Sequence, residues 1–173
     1  MKIRLSNIAD ARAMARIYVQ AWRDTYNGIL PSDYLGTMSI PEHEHAFLND
    51  LHDNRIICFV AEEGGNGVVG FVTGGPERNG NFIYSGEIYT LYVLRSYQRQ
   101  GIGFKLVSAL AAHLNRHAIY SMMVWVLKQN PNRRFYEKIN GVYLYSHRTQ
   151  FAGTKVQQIA YGWIDTNLIL AHL

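Results

Sequence analysis

Residues 85–106 read Ser-Gly-Glu-Ile-Tyr-Thr-Leu-Tyr-Val-Leu-Arg-Ser-Tyr-Gln-Arg-Gln-Gly-Ile-Gly-Phe-Lys-Leu. The stretch opens as a strand: residues 88–94 are β-branched, aromatic or aliphatic, and Arg95-Ser96 ends the run. Gln98-Arg99-Gln100-Gly101-Ile102-Gly103 follows. Leu106, Val107, Leu110, Ala111 and Leu114 then recur at spacings of three and four, the mark of a helix with one buried face. A strand, a turn with two glycines and a helix N-terminus together form an anion trap. The first N–H groups of a helix lack internal partners, the helix dipole adds partial positive charge, and glycine permits close approach. Arg95, Arg99 and Lys105 add net charge nearby. The functional reading is a bound phosphate or pyrophosphate; the competing reading is an ordinary glycine turn. Two other phosphate loops fail on spacing. A dinucleotide fingerprint needs a third glycine where Leu106 stands, and a Walker loop needs Gly-Lys-Ser/Thr where Phe104-Lys105-Leu106 follows Gly103.

Working outward, the residues before this stretch read as strands. Residues 55–62 and 68–74 flank Glu63-Gly64-Gly65-Asn66-Gly67, a hairpin turn. A loop at 75–80 leads into the strand expected over 82–94, which gives three consecutive antiparallel strands. After the helix, residues 121–127 form a nearly continuous apolar run, expected as a strand covered on both faces. A helical crossover joins it to the preceding strand, so the two should lie parallel. Their diverging ends would leave a wedge that a linear group could enter. Pro131 suits a first helical turn, Gly141 ends that helix, and residues 142–149 and 155–163 read as a last antiparallel pair. The tail at 166–173 shows no clear pattern.

Gln98-x-x-Gly101-x-Gly103, preceded by Leu91-Tyr92-Val93, resembles motif A of the GCN5-related N-acetyltransferase superfamily, Arg/Gln-x-x-Gly-x-Gly/Ala. Asn130-Pro131-Asn132-Arg133-Arg134-Phe135-Tyr136-Glu137-Lys138 resembles its motif B, with a helix start one residue shorter than the common form. The resemblance implies that residues 91–93 and 98–105 (Leu91, Tyr92, Val93, Gln98, Arg99, Gln100, Gly101, Ile102, Gly103, Phe104, Lys105) bind acetyl-coenzyme A, its pyrophosphate on the turn amides. It implies that Asn130 and Arg133 also bind the cofactor, Asn130 on the pantetheine arm, and that the Tyr136 hydroxyl serves the departing sulfur. A backbone N–H near Tyr92 or Val93 would polarise the acetyl carbonyl. The reaction implied is direct attack by a primary amine in a ternary complex. Glu87 stands six residues before Val93, where the histone-acetylating branch carries its base; base and acceptor contact both remain open for it.

The expected fold is α/β: one domain over residues 1–173, with a mixed, mostly antiparallel sheet of about six or seven strands flanked by helices. Its central parallel pair forms a V-shaped cofactor wedge. Near the N-terminus, residues 2–5 read as a strand, and Asn7 with Asp10 caps a helix through Tyr26. Trp22 and Tyr26 share a face of that helix. The segment 21–31 resembles one from a branch of the same superfamily, where it lines the acceptor groove. Trp22, Tyr26 and Asp24 are therefore candidate acceptor contacts, with core packing the alternative for the two aromatics. Ser39 and Glu42 form a capping box for a helix through about residue 51. His43, His45 and His52 lie on that helix, but their spacing lacks a metal ligand set, and no metal is expected.

The 173 residues carry a net charge of +4, unevenly placed. Residues 1–65 hold six Lys/Arg against nine Asp/Glu, and residues 66–173 hold eleven against four. A basic C-terminal part suits a polyanionic cofactor, and an acidic N-terminal part suits a cationic acceptor such as a polyamine or aminoglycoside-like amine. An amino acid or a protein amine is the other acceptor class. Two rival functions are a coenzyme A sensor without turnover and a nucleic-acid-binding domain; the basic residues form no long run, so no nucleic-acid partner is expected. Apolar runs fall short of a membrane span, and a signal-peptide core is missing from the start of the chain. The single cysteine, Cys58, reads as a small buried hydrophobe. A cytoplasmic monomer or homodimer is expected.

Overall fold

In a computed structural model, which describes residues 1–170, seven strands form one sheet in the order β1-β2-β3-β4-β5-β7-β6. The strands are β1 (Lys2–Leu5), β2 (Ile57–Glu63), β3 (Gly67–Pro76), β4 (Gly86–Val93), β5 (Met122–Leu127), β6 (Val142–Phe151) and β7 (Thr154–Trp163). The helices are α1 (Ala11–Tyr26), α2 (Ser32–Thr37), α3 (Ile40–His52), α4 (Ile102–Arg116), α5 (Arg134–Lys138) and α6 (Asn167–Leu170). Every pairing is antiparallel except β4 with β5. None of the helices described is long and apolar enough to cross a membrane.

The periodicity of each helix selects the sheet face that it covers. In α4, Leu106, Val107, Leu110 and Leu114 bury against Val72, Ile88 and Met122. In α1, Met14, Ala15 and Ile17 bury with Phe47 of α3 against Cys58, Val60 and Phe71 on the opposite face. Alternation along β2 sends Cys58 and Val60 one way and Phe59 and Ala61 the other. The entry to α1 is fixed by a capping box: Asn7 Oδ1 accepts from the Ala9 N–H, and Asp10 Oδ2 from the Asn7 N–H. The box encloses a 3-10 turn over Ile8–Asp10, so the α-helix proper starts at Ala11. Arg4 grips both Asp10 oxygens at 2.7 and 2.9 Å and Glu62 at 2.9 Å.

The structure corrects two boundaries. The strand expected over 82–94 begins only at Gly86. Side chains bend the preceding segment into a loop: Glu77 accepts the N–H groups of Asn79 and Asn81, and Asn81 accepts those of Ile83 and Tyr84. Phe82 and Ile83 stand exposed there. In the tail, residues 167–170 form α6, whose Ile169 is buried against the α4 side of the core; residues 171–173 lie outside the described part.

Candidate active site

β4 and β5 pair over only three registers, Gly86↔Met122, Glu87↔Met123 and Ile88↔Val124. Beyond Ile88 they separate, although each strand continues. β4 carries a bulge here: Ile88 faces Gly74 and Thr90 faces Thr73, leaving Tyr89 as the extra residue. A bulge bends and twists its strand, and this one sits where the parallel ladder ends. The Leu94 N–H donates to Val69 O at 2.9 Å. Antiparallel alternation therefore also engages the Tyr92 N–H with Phe71 and turns the N–H groups of Leu91 and Val93 toward the gap.

At the far end of β4, a 3-10 turn at Arg95–Tyr97 leads into the glycine segment. Gln98 folds back, its Nε2 donating to Val93 O at 3.0 Å, and Gln100 Nε2 donates to Ser96 O at 3.2 Å. Arg99 and Gly101 both take positive φ, 63° and 77°. Gly101 is the N-cap of α4 and, as a glycine, has no side chain with which to cap it. The first bond inside the helix is Lys105 N–H to Gly101 O, so the N–H groups of Ile102 and Gly103 precede the helical ladder. Gly101, Arg99, Gln100 and Lys105 are exposed. The terminus thus presents backbone donors and positive charge beside the mouth of the β4–β5 gap.

The gap opens into a cleft of about 850 Å³. Trp22 and Tyr26 line it from α1, their rings 4.9 Å apart. Trp22 Nε1 donates to the Tyr92 hydroxyl at 2.7 Å, and Asn130 Nδ2 donates to the Tyr26 hydroxyl at 3.0 Å. Asn130 Oδ1 also accepts the Asn132 N–H, which leaves the amide one further donor and one further lone pair. The aromatics are therefore both core packing and cleft wall. Tyr136 lines the same cleft, and among the described residues its hydroxyl makes no hydrogen bond. Burial pushes its phenol pKa up, with the neighbouring Tyr26 adding to the effect.

Glu87 enters the cleft from β4 with only 1% of its surface exposed. Arg78 holds it: Nη2 lies 2.6 Å from Oε1, while Nε and the backbone N–H each lie 3.2 Å from Oε2. The end of the β3–β4 hairpin, Pro76↔Gly86, brings this loop residue over the start of β4.

Asp24 and Arg133 are held elsewhere by other partners. Asp24 is exposed and accepts from Gln20 at 3.1 Å; a residue two positions from Trp22 points to the other side of a helix. Arg133 donates to Tyr161 at 3.0 Å and to Glu137 at 3.2 Å. The helix behind it starts at Arg134, three residues after Pro131, because Asn130 and Asn132 first close turns of their own. Leu91 and Tyr92 line the cleft, whereas Val93 and the 98–105 turn lie outside its lining. Sequence reasoning missed Arg78, along with Tyr145, His147 and Phe151 from the β6–β7 hairpin. The acidic residues of 1–65 do not line the cleft; that half contributes Tyr18, Trp22 and Tyr26. Among the described residues, no group of three or more His, Cys, Asp or Glu is placed to hold a metal ion.

Comparison with known proteins gives a consistent result. The family model described as Acetyltransferase (GNAT) family matches residues 14–142. The chain is 33% identical over 169 residues to the uncharacterized N-acetyltransferase YuaI of Bacillus subtilis (strain 168), covering 96% of this chain and 95% of that one. Its fold is similar to that of a ribosomal-protein-alanine N-acetyltransferase from Brucella melitensis (TM-score 0.74, 21% identity, 94% and 99% of the two chains). It is also similar to that of yncA from Salmonella typhimurium, solved with its cofactor acetyl-CoA (TM-score 0.73, 23% identity, 94% and 92%).

Proposed function

The chain belongs to the acetyltransferase (GNAT) family and is an acyltransferase, and we propose that it moves the acetyl group of acetyl-coenzyme A to a primary amine by direct attack in a ternary complex. The observation that carries this reading is the opened β4–β5 pair. It has inward-facing N–H groups at Leu91 and Val93, a helix terminus with a glycine N-cap beyond one end and the Tyr136 hydroxyl inside the cleft. A pantetheine arm is a linear amide chain, and it can hydrogen-bond in such a gap much as an added strand would. The pyrophosphate then falls to the amides at the start of α4, where the dipole favours negative charge. The likeness to a structure holding acetyl-CoA supports this placement.

Amide formation requires a neutral amine, a polarised carbonyl and a stabilised leaving thiolate. The new N–C bond forms as the C–S bond breaks; the amine gives up a proton and the sulfur gains one. Leu91 or Val93 N–H polarises the carbonyl. Tyr136, kept protonated by its burial, donates to the sulfur. Glu87 orients the acceptor: with both oxygens already engaged by Arg78 it holds the arriving ammonium, whose proton passes to solvent water to leave the neutral amine that attacks, and the proton shed as the N–C bond forms leaves by the same route. Trp22 and Tyr26 form the apolar wall beside it.

Thiol release from acetyl-coenzyme A across an amine panel tests the reading. The wild type should release thiol only with an amine present, and Tyr136→Phe should lower kcat by about 100-fold, the lower end of the usual range for a lost general acid. Stabilisation by coenzyme A without amine-dependent release would identify a sensor instead. Undiminished turnover in Tyr136→Phe would remove the acid role.

A further inference from the structure

Among the described residues, Arg78 is the one Lys or Arg that lines the cleft. Besides its contacts to Glu87, its guanidinium lies 3.9 Å from the centroid of the Tyr89 ring. Tyr89 is itself fixed, its hydroxyl donating to Pro76 O at 2.6 Å. The Arg78 side chain is 56% exposed and that of Glu87 2%, so a buried carboxylate is capped by a cation that faces solvent. The other carboxylate in the lining, Glu77, is engaged by the Asn79 and Asn81 N–H groups. At Glu87 and Arg78 an acceptor entering the cleft therefore meets an anion and a cation side by side.

Resting on the acetyl-transfer reading above, we propose that the acceptor is a zwitterion: an amino acid whose ammonium group lies on Glu87 and whose carboxylate lies on the Arg78 fork. A simple amine that draws Glu87 away from Arg78 leaves the guanidinium without a counter-charge. A polyamine brings further cations against it, and like charges at close range are unfavourable. An amino acid replaces both halves of the pair at once and arranges four charges with opposite signs adjacent. The planar guanidinium matches a carboxylate with two parallel N–H donors, and Tyr89 holds it in position beforehand. A smaller depression beyond Arg78 is lined by Asp50 and Asp53. Arg78 lines both the cleft and this depression, so a polycation spanning them meets the guanidinium, and strong polyamine turnover counts against the proposal.

The test compares kcat/KM for a set of amino acids, their methyl esters, their decarboxylated amines and spermidine. The enzymes are the wild type, Arg78→Gln and Arg78→Lys, each first checked for stabilisation by coenzyme A. In the wild type, an amino acid should exceed its decarboxylated amine and its ester by about 10- to 100-fold, the worth of a charge-assisted hydrogen bond. Arg78→Gln should erase that ratio, and Arg78→Lys should restore part of it. Two results would overturn the proposal: spermidine or the decarboxylated amines matching the amino acids in the wild type, or Arg78→Gln lowering both classes by the same factor. Turnover of amines with no preference for a carboxylate defeats this proposal alone. Coenzyme A binding with no amine turned over defeats the transfer reading, and this proposal with it.

Discussion

Two glycines, Gly101 and Gly103, separated by one residue, should respond to alanine with opposite signs. Gly101 sits at φ +77° with open space around the position of a Cβ. An alanine there meets no neighbour, yet its own Cβ clashes with the local backbone, which costs about 1–2 kcal/mol in the left-handed region. Gly103 has an ordinary helical φ, and a Cβ would touch only the Phe135 ring at 3.5 Å, a normal contact. Alanine in place of glycine inside a helix gains about 0.5–1 kcal/mol, and in a first turn about half of that is reasonable. For a domain of this size, 1 kcal/mol corresponds to about 2–4 °C in Tm. Thermal melting without ligand should therefore show Gly101→Ala falling by about 2–8 °C and Gly103→Ala rising by about 0.5–2 °C. Coenzyme A should still stabilise Gly103→Ala, whose Cβ lies toward Phe135. Equal shifts of one sign, or a destabilised Gly103→Ala, would refute this account of the turn.

Asp10 offers a pH test. Burial alone would raise its carboxyl pKa, but Arg4 and the Asn7 N–H outweigh that and hold it below the ordinary value. A depressed carboxylate contributes stability above its unfolded pKa of about 3.9 and loses it as pH falls through the lower folded value. Asp10→Asn should therefore destabilise at pH 7 by about 2 kcal/mol, less than a fully buried pair because Arg4 keeps Glu62 and some solvent. Melting from pH 7 to pH 2 should show the gap to wild type closing below about pH 4; a constant gap would remove the ion pair from the explanation. Glu87→Gln should reduce kcat/KM by about 10- to 100-fold, the worth of a hydrogen bond to a charged group, and by the same factor at every pH. Recovery at high pH would instead make Glu87 the base.

The central architecture was legible because it depends on local patterns: the strand–glycine–helix stretch, the apolar run at 122–127 and a crossover that permits only a parallel neighbour. Trp22 and Tyr26 could be placed on one face by helical spacing, and the same spacing should have removed Asp24. The beginning of β4 was not legible, since Phe82-Ile83-Tyr84 looks like a strand. What bends it is side-chain capture of N–H groups by Glu77 and Asn81, a choice between two uses of the same polar residues. Arg78 carried no periodic or motif signal. It meets Glu87 because the hairpin closes at Pro76↔Gly86, and reading that register forward would have placed residues 77–79 over the strand start. The Tyr26–Asn130 bond spans 104 positions, and its partners belong to separate motifs. Only the folded sheet brings them together.

Chemical-quench mass spectrometry distinguishes direct transfer from an acyl-enzyme route. The one cysteine, Cys58, is buried with its thiol pKa pushed up to about 12, so it offers no thiolate for an acyl intermediate. The protein is mixed with acetyl-coenzyme A, with and without an amino acid, and sampled through the first turnovers. The protein mass should stay unchanged at every time point, and N-acetyl product should appear in step with free coenzyme A. An acetyl adduct on the chain that the amine then discharges, or thiol release with no N-acetyl product, would contradict direct transfer.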